Sequence, residues 1–486
     1  MSSIGGYSEM ALPEKKAVLK EAFEARGGVE DPREALKGVR ALVVGLARTG
    51  LSVSRFLSRC GASVTATDIR PSGELPGAEG LAAMGVEVRA GRHREEDFLS
   101  SELVVVSPGV PGSHPLLSSA RGKGVPVISD VELAWRFIDV PVIAVAGTNG
   151  KSTTTSLLGR IFEEAGKKVF VGGNIGTPVI EYVEGVLDGE EKGDACILEI
   201  SSFQLETTDT FNPHIGVMLN ITEDHLDRYA GFDEYAMTKM RLFGNQGPSD
   251  YAVVNAADPA IAARKYALGR GTVVPFTTSG EVKEGLFLKG EEMVFRLSGL
   301  AEETYPVERL RLKGLQNIEN AMAAIACARV SGIPAEAVLK TLSSYKGLAH
   351  RMELVRELKG VRYIDDSKGT NIGALEMALK GIEGRVVLIA GGRDKGGDYG
   401  VLRELVRQKV KLVIAIGEAR KKIMEAFSPV TETLAVDTME MAVARGHQNA
   451  SRGDTVLLCP ACSSFDMYAN YAERGEHFAR IVEALP

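Results

Sequence analysis

Tryptophan occurs once in 486 residues, cysteine five times, and aromatic residues make up only 6% of the chain. Five scattered cysteines do not make a disulfide framework, so a reduced, cytoplasmic setting is expected. No apolar run approaches the roughly 20 residues that cross a bilayer, and the first residues lack the apolar centre of a signal peptide. Positive charge is not in excess either. With 57 Lys and Arg against 64 Asp and Glu the net charge is −7, which gives no support for general nucleic-acid binding. A polyanionic ligand would need locally placed cations. What remains is ordinary for a globular protein, 44% hydrophobic and 25% charged, with length enough for two to four domains.

The stretch around which the chain is organised begins at Val142. An apolar strand runs into Gly147-Thr148-Asn149-Gly150-Lys151-Ser152-Thr153, and a helix is predicted from about Ser152 to Ala165, closed by Gly166. Gly147 and Gly150 permit backbone that aims N–H groups inward, and the helix N-terminus adds partial positive charge. Lys151 can reach β/γ-phosphates and the Ser152 hydroxyl can bind Mg²⁺. Val145 stands where the first glycine of a Walker A loop would fall, so this is a variant of that loop. The plainer alternative is a glycine turn ahead of a helix that contains a lysine.

Residues 1–36 read as an extension, with a charged, helix-prone stretch from Glu14 to Arg26. From residue 37 to 140 the pattern is α/β. Strands are expected at Ala41–Val44, Ser63–Thr67, Leu103–Val106 and Val125–Ile128, with a turn from Gly45 to Gly50 and a helix from Leu51 to Cys60. An acid, Asp68, follows about twenty residues after the turn, as in a dinucleotide-binding fingerprint. Ala47 replaces the middle glycine, so a purely structural βα turn stays open.

The central unit, 141–347, adds strands at Val169–Val171, Ala195–Leu198, Ile215–Leu219 and Tyr251–Asn255. The loop from Gly172 to Gly176 suits close backbone approach to a ligand. Glu199 ends a buried-type strand. Alone it reads as a solvated strand end, whereas beside a phosphate loop it supplies the hard oxygen that Mg²⁺ needs. His225, set among Glu223, Asp224 and Asp227, is either a second metal ligand or a surface histidine. A helix from Asp233 to Phe243 contains Lys239, which spacing gives no reason to single out. Asn317 and Asn320 share one face at the start of an alanine-rich helix, Ala321–Val330, and could read an adenine edge.

A third α/β unit, 348–486, carries strands at Val361–Ile364, Val386–Ala390, Leu412–Ile416 and Thr455–Leu458. Polar loops follow three of them: Asp365–Asn371, Gly391–Gly397 and Cys459–Asp466. Such loops would share the carboxyl edge of a parallel sheet, where ligands bind. The Cys459-x-x-Cys462 pair can be a redox motif, but it lies at the end of the chain rather than in the N-terminal βαβ unit where such motifs sit.

Taken in order, G-T-N-G-K-S-T, G-G-N-I-G, L-E-I-S-S-F-Q-L-E, N-I-T-E-D-H-L-D-R, N-I-E-N-A, H-R-M-E, D-D-S-K-G-T-N and G-G-R-D-K-G resemble the ATP-dependent Mur ligases. These enzymes build the peptide of bacterial cell-wall precursors. The E-I-S-S-F-Q and D-S-K-G-T-N segments are most similar to the branch that adds D-glutamate. The resemblance implies three domains: a Rossmann-like domain for a UDP-linked substrate, a central P-loop-type ATPase domain with a mostly parallel sheet, and a Rossmann-like C-terminal domain for the amino acid.

The same resemblance implies the roles of individual residues. Arg48, Thr49, Asp68, Ile69, Arg70, Ser107, Asn174 and Ser201 would meet UDP-N-acetylmuramoyl-L-alanine. Gly147 to Thr153, with Asn317, Asn320, Arg351 and Asp366, would hold ATP. Ser152 and Glu199 would bind one Mg²⁺, and His225 with a carbamylated Lys239 a second. Lys151, Glu199, His225 and Lys239 would be the catalytic set. His350, Lys368, Thr370, Lys395, Ser464 and Phe465 would surround D-glutamate. No nucleic-acid partner and no membrane span are implied, and a monomer is expected. Ala47 stands where a glycine is common in the family and Cys459 where a serine is common. Other Mur-type or folylpolyglutamate-type ligases, a dehydrogenase built on the first domain, and a non-catalytic nucleotide switch remain alternatives.

Overall fold

The computed structural model is described for residues 32–486 except 76, 227, 313 and 395. The stretch Glu14–Arg26 and Lys395 therefore lie outside the described residues. The described residues form three sheets in succession.

The first holds β1 (Arg40–Val44), β2 (Ser63–Asp68), β3 (Glu87–Ala90), β4 (Leu103–Val106) and β5 (Val127–Ser129), all parallel, in the order β3-β2-β1-β4-β5. β5 begins later than expected because Pro126, which has no N–H to give the ladder, precedes it. Helix α1 (Arg48–Arg59) starts three residues earlier than its apolar pattern suggests, so Arg48 and Thr49 form its first turn. Gly50 lies inside that helix because a Cβ there would sit 1.8 Å from the Gly45 carbonyl oxygen.

The second sheet has nine strands: β6 (Val142–Ala146), β7 (Val169–Gly173), β8 (Ala195–Glu199), β9 (Ile215–Met218), β10 (Tyr251–Asn255), β11 (Thr272–Thr277), β12 (Gly285–Lys289), β13 (Glu292–Arg296) and β14 (Glu303–Pro306). Their order is β14-β13-β12-β11-β10-β9-β6-β8-β7, parallel except for the β12–β13 and β13–β14 pairs. All five β6 residues are buried, as expected of a strand covered on both faces. One covering layer contains α2 (Lys151–Glu164) and, beside it, α6 (Leu315–Val330), whose alanine run allows close packing. Three further helices matter below: α3 (Val179–Leu187), α4 (Ser202–Leu205) and α5 (Phe232–Met240). Gly166 at φ +75° closes α2, one residue after its last turn.

The third sheet contains β15 (Glu353–Leu358), β16 (Val361–Asp365), β17 (Val386–Gly391), β18 (Val410–Ile416), β19 (Glu432–Ala435) and β20 (Thr455–Leu458), in the order β15-β16-β20-β17-β18-β19. Only the edge strand β15 is antiparallel. Helix α7 (Ile372–Gly381) follows β16, and α8 (Tyr471–Glu483) ends the domain.

The first two domains share one hydrophobic cluster, running from Leu57 and Trp135 to Phe211 and Phe243. Polar contacts bind them as well. Arg55 and Arg59 of α1 clasp Glu184 of α3, and Glu132, fully buried, accepts the N–H groups of Asp209, Thr210 and Phe211.

Candidate active site

The order of the second sheet places β6 between β8 and β9, which is the point where the strand order reverses and ligands bind in such folds. The phosphate loop leaves β6 there. Gly147 has φ +150° and Gly150 φ +86°. A Cβ on Gly150 would stand 2.2 Å from Asn320 Oδ1, and one on Gly147 3.0 Å from Leu219. Thus the loop is packed from beneath, and its glycines are required by the protein's own atoms. Asn220, at the exit of β9, fixes the loop shape: its Oδ1 accepts from Asn149 N at 2.8 Å and its carbonyl from Thr148 N at 2.9 Å. Thr148 Oγ1 lies 3.0 Å from the Tyr235 hydroxyl of α5.

Glu199 ends β8 directly beside this loop. Ser152 Oγ donates to its Oε2 at 2.5 Å and Asn174 Nδ2 to its Oε1 at 2.8 Å. Burial works to raise the Glu199 pKa. The Lys151 charge, the Ser152 and Asn174 hydrogen bonds and the Arg351 charge outweigh it, and the carboxyl is held below its ordinary value. Arg351 reaches in from the third domain, donating from Nη2 to Ser152 Oγ at 2.8 Å. Lys151 Nζ turns back on the carbonyls of Gly147 and Thr148, at 3.0 and 2.9 Å.

Lys239 is 2% exposed, with Nζ donating to Gly147 O at 2.8 Å and 4.8 Å from the centre of the Tyr235 ring. Burial, and then the Lys151 charge, push its pKa well below the ordinary lysine value, against the opposing pull of Asp224 and Glu199. Sequence spacing had no means of finding this, since nothing in a helix pattern marks a lysine whose neighbour is a loop 92 residues earlier. His225, at φ +55°, packs against Phe203 with the rings tilted by 59° and their centroids 4.6 Å apart, and holds Nε2 3.6 Å from Asp224 Oδ2.

Several residues sit otherwise than expected. Asn174, implied to meet the UDP-linked substrate, donates to Glu199 beside the phosphate loop. Within the Gly172 to Gly176 stretch, Gly173 admits the backbone of the neighbouring strand. β7 runs through Gly173, where a Cβ would lie 2.5 Å from the Glu199 carbonyl oxygen. Asn317 and Asn320 lie within α6 instead of ahead of it. Asn320 is 3% exposed, its Oδ1 accepts from Thr154 at 3.3 Å, and its amide points to Asn317 Oδ1 at 3.4 Å. Asn320 therefore braces the phosphate helix. Thr153 is buried in the first turn of that helix.

At the first sheet, the Asp68 carboxylate is engaged by the protein. Leu46 N donates to Oδ2 at 2.7 Å, and the Arg70 N–H and guanidinium take the rest. Burial opposes ionisation there, but these donors bring the pKa down to about 2. Ser107 Oγ donates to Gly45 O at 2.7 Å, while Ile69 and Arg48 stand exposed. Ser201 caps α4 in a reciprocal pair with Gln204.

In the third domain, His350 at φ +60° sets Nδ1 2.7 Å from Asp365 Oδ2, and Lys368 Nζ rests 3.8 Å over the Tyr471 ring. Asp366 is buried, accepting from Cys459 Sγ at 3.2 Å and from Met352 N at 3.2 Å. Burial dominates and raises its pKa to about 7. Cys462 lies 2.9 Å from the Tyr399 hydroxyl, and both cysteines are buried with thiols pushed up by burial, which removes the thiolate that redox exchange requires. Ser464 is buried, Thr370 half-buried and Phe465 exposed. Sequence reasoning missed Asn220, Tyr235, Asp224 and Arg474. Buried Arg474 donates to Ser367 Oγ and O and to the Ser463 and Cys462 carbonyls, tying together the loops after β16 and β20.

Three family models match the chain: Mur ligase MurD-like N-terminal domain over residues 39–129, Mur ligase middle domain over 145–328, and Mur ligase glutamate ligase domain over 350–462. A UDP-N-acetylmuramoylalanine–D-glutamate ligase from Geobacter metallireducens is 48% identical over 453 residues, covering 93% of this chain and 98% of its own. Among solved structures, a pseudomurein peptide ligase type C from Methanothermus fervidus superposes with a TM-score of 0.58 at 18% identity, over 92% of this chain and 99% of its own. The UDP-N-acetylmuramate-alanine ligase from Thermotoga maritima gives 0.56 at 20% identity, over 92% and 99%.

Proposed function

The chain belongs to the Mur ligase family, and from that premise we propose that it joins D-glutamate to the L-alanine carboxylate of UDP-N-acetylmuramoyl-L-alanine at the expense of ATP. The observation that carries this reading is the cluster at the switch point, where Lys151, Ser152 and Glu199 of the central domain meet Arg351 of the third. Phosphate chemistry and the amino-acid-binding domain converge there.

The residues fit ATP and Mg²⁺ on their own chemistry. Two positive-φ glycines open a loop of N–H groups at a helix N-terminus, and Glu199 is held ionised beside a serine hydroxyl. Ser152 and Glu199 would hold one Mg²⁺, and His225 with Lys239 a second. Lys239 suits carbamylation because its burial favours the neutral amine, the form that adds CO₂. Bound Mg²⁺ neutralises charge on the phosphoryl oxygens as transfer proceeds.

A carboxylate is a poor electrophile, so the L-alanine carboxylate is first converted to an acyl phosphate; the D-glutamate amine then attacks, and phosphate leaves through a tetrahedral intermediate. Lys151 swings from the Gly147 and Thr148 carbonyls to the transferred phosphoryl group. Arg351 and Asp366 orient the nucleotide with Asn317 and Asn320. His350, Lys368, Thr370, Lys395, Ser464 and Phe465 receive D-glutamate, with Lys368 supplying charge for an acidic side chain. Arg48, Thr49, Ile69, Arg70 and Ser107 receive the uridine diphosphate on a turn braced by Asp68, and Asn174 and Ser201 complete that site towards the phosphate loop. Catalysis is chiefly positioning and electrostatic stabilisation. The test is isotopic. With ¹⁸O in the L-alanine carboxylate, one label is expected in the released phosphate, and label-free phosphate would reject the acyl phosphate.

A further inference from the structure

Asn371 ends the D-D-S-K-G-T-N loop and belongs to none of the substrate-contact sets above. Its side-chain amide is divided between two domains. The Oδ1 accepts from Ala374 N at 2.7 Å and so caps α7. The Nδ2 crosses to the central domain and donates to Asp224 Oδ2 at 2.9 Å, with Asn149 Oδ1 of the phosphate loop 3.5 Å away. Asp224 is itself fixed, because its Oδ1 accepts from His225 N at 3.0 Å. Two residues further on, Gly373 brings the start of α7 against the same surface. A Cβ there would stand 3.2 Å from Asn149 Nδ2 and 3.3 Å from Thr222 Oγ1.

We infer that Asn371 is a positioning residue, docking the third domain on the phosphate loop by hydrogen-bonding Asp224 across the domain boundary. Lys368 and Thr370 lie three and one residues before it, so this contact sets how far the amino-acid loop stands from the phosphate loop. The Arg351–Ser152 contact also bridges the two domains, but Arg351 is a nucleotide-site residue. Asn371 belongs to neither the nucleotide set nor the amino-acid set, so changing it perturbs the contact between the domains while those residues are kept.

Aspartate at 371 keeps the helix cap and replaces the donor with an acceptor facing Asp224, which turns an attraction into a like-charge contact. The charge-swapped pair, Asn371→Asp with Asp224→Asn, restores one donor and one acceptor with the cap intact. The measurement is small-angle X-ray scattering of the full chain with ADP and Mg²⁺, alongside thermal unfolding. In N371D the ratio of molecules with the third domain docked on the phosphate loop to those with it undocked should fall at least tenfold, seen as a larger radius of gyration with an unchanged melting midpoint, and the double variant should return to the wild-type profile. Steady-state kinetics should show N371D with kcat lowered about tenfold. Wild-type scattering from N371D, or an expanded profile that the double variant does not reverse, overturns the inference. A lowered melting midpoint without expansion also does so, assigning Asn371 to the helix alone. The kinetic arm rests on the ligase reading and the scattering arm does not. Failure of that reading would appear instead as wild-type protein without D-glutamate-dependent turnover.

Discussion

Substituting Glu199 by glutamine removes one charge and almost nothing else. The side chain is 3% exposed, is held by Ser152 and Asn174, and is flanked by the charges of Lys151 and Arg351. Glutamine keeps the volume and one acceptor. The lost charge-assisted hydrogen bond is worth about 1.5–3 kcal/mol, and it is offset in part because a buried carboxylate no longer has to be desolvated. Ligand-free stability should therefore change little near neutral pH. The Glu199 pKa is lowered in the fold, so the carboxylate's stabilising contribution is present above the unfolded-state value and is lost as pH falls through the folded one. The difference from glutamine should shrink under acid conditions. Turnover is another matter. Loss of a preorganised group facing the transferring phosphoryl costs about 2.7–4 kcal/mol, or about 10²–10³ in rate. Two assays read this. One is phosphate release with all three substrates. The other is the Mg²⁺-dependent part of the stabilisation by ADP, which at a ligand concentration of 100 Kd totals about 2.7 kcal/mol in the wild type. E199Q should lose both and K151A the first. E199Q turnover within tenfold of wild type, or a full Mg²⁺-dependent stabilisation, would refute the assignment.

Lys239→Arg keeps a positive charge but cannot present a neutral amine, so activity should fall by at least about 10² and added bicarbonate, expected to sustain the wild type, should have no effect; wild-type turnover in the arginine variant would reject a carbamate. Asp366 has a folded pKa raised to about 7. Its protonated form stabilises the fold fully below the unfolded value, and that contribution is lost as pH rises to about 7, by up to about 4 kcal/mol. Relative to D366N, the wild-type melting midpoint should therefore decline between about pH 4 and 7 and then level off; a flat difference would contradict this. Gly50→Ala drives a Cβ into the Gly45 carbonyl and should destabilise the first domain by about 3 kcal/mol. UDP-substrate binding should weaken while ADP binding, checked by calorimetry, is kept.

The phosphate loop, its strand and its helix were legible in the sequence because their chemistry is local: glycines, a lysine and a serine at fixed offsets. The parallel strands were legible for a related reason, since burial on both faces writes them as apolar runs such as Leu103–Val106 and Val142–Ala146. β12, β13 and β14 escaped notice because short strands with charged ends, such as Glu292–Arg296, carry a weak period-2 signal. Lys239, Asp224 and Asn371 were illegible by spacing, because each acquires its role from partners far along the chain, at distances of 92 residues for Lys239 to Gly147 and 147 for Asn371 to Asp224. The family resemblance supplied Lys239. Asn371 carried one local signal, a capping residue ahead of a helix, which says nothing of a second domain. Asp68 shows what a local pattern leaves out. Its position matched a ribose-binding acid, yet its oxygens are engaged by Leu46 and Arg70.

The most direct measurement is phosphate release from ATP and Mg²⁺ with UDP-N-acetylmuramoyl-L-alanine, supplying D-glutamate, L-glutamate, L-alanine or meso-diaminopimelate in separate reactions. Strong release with D-glutamate alone is the expected result. Release with another of these amino acids would contradict the assignment while keeping the ligase, and no release with any would contradict the ligase itself.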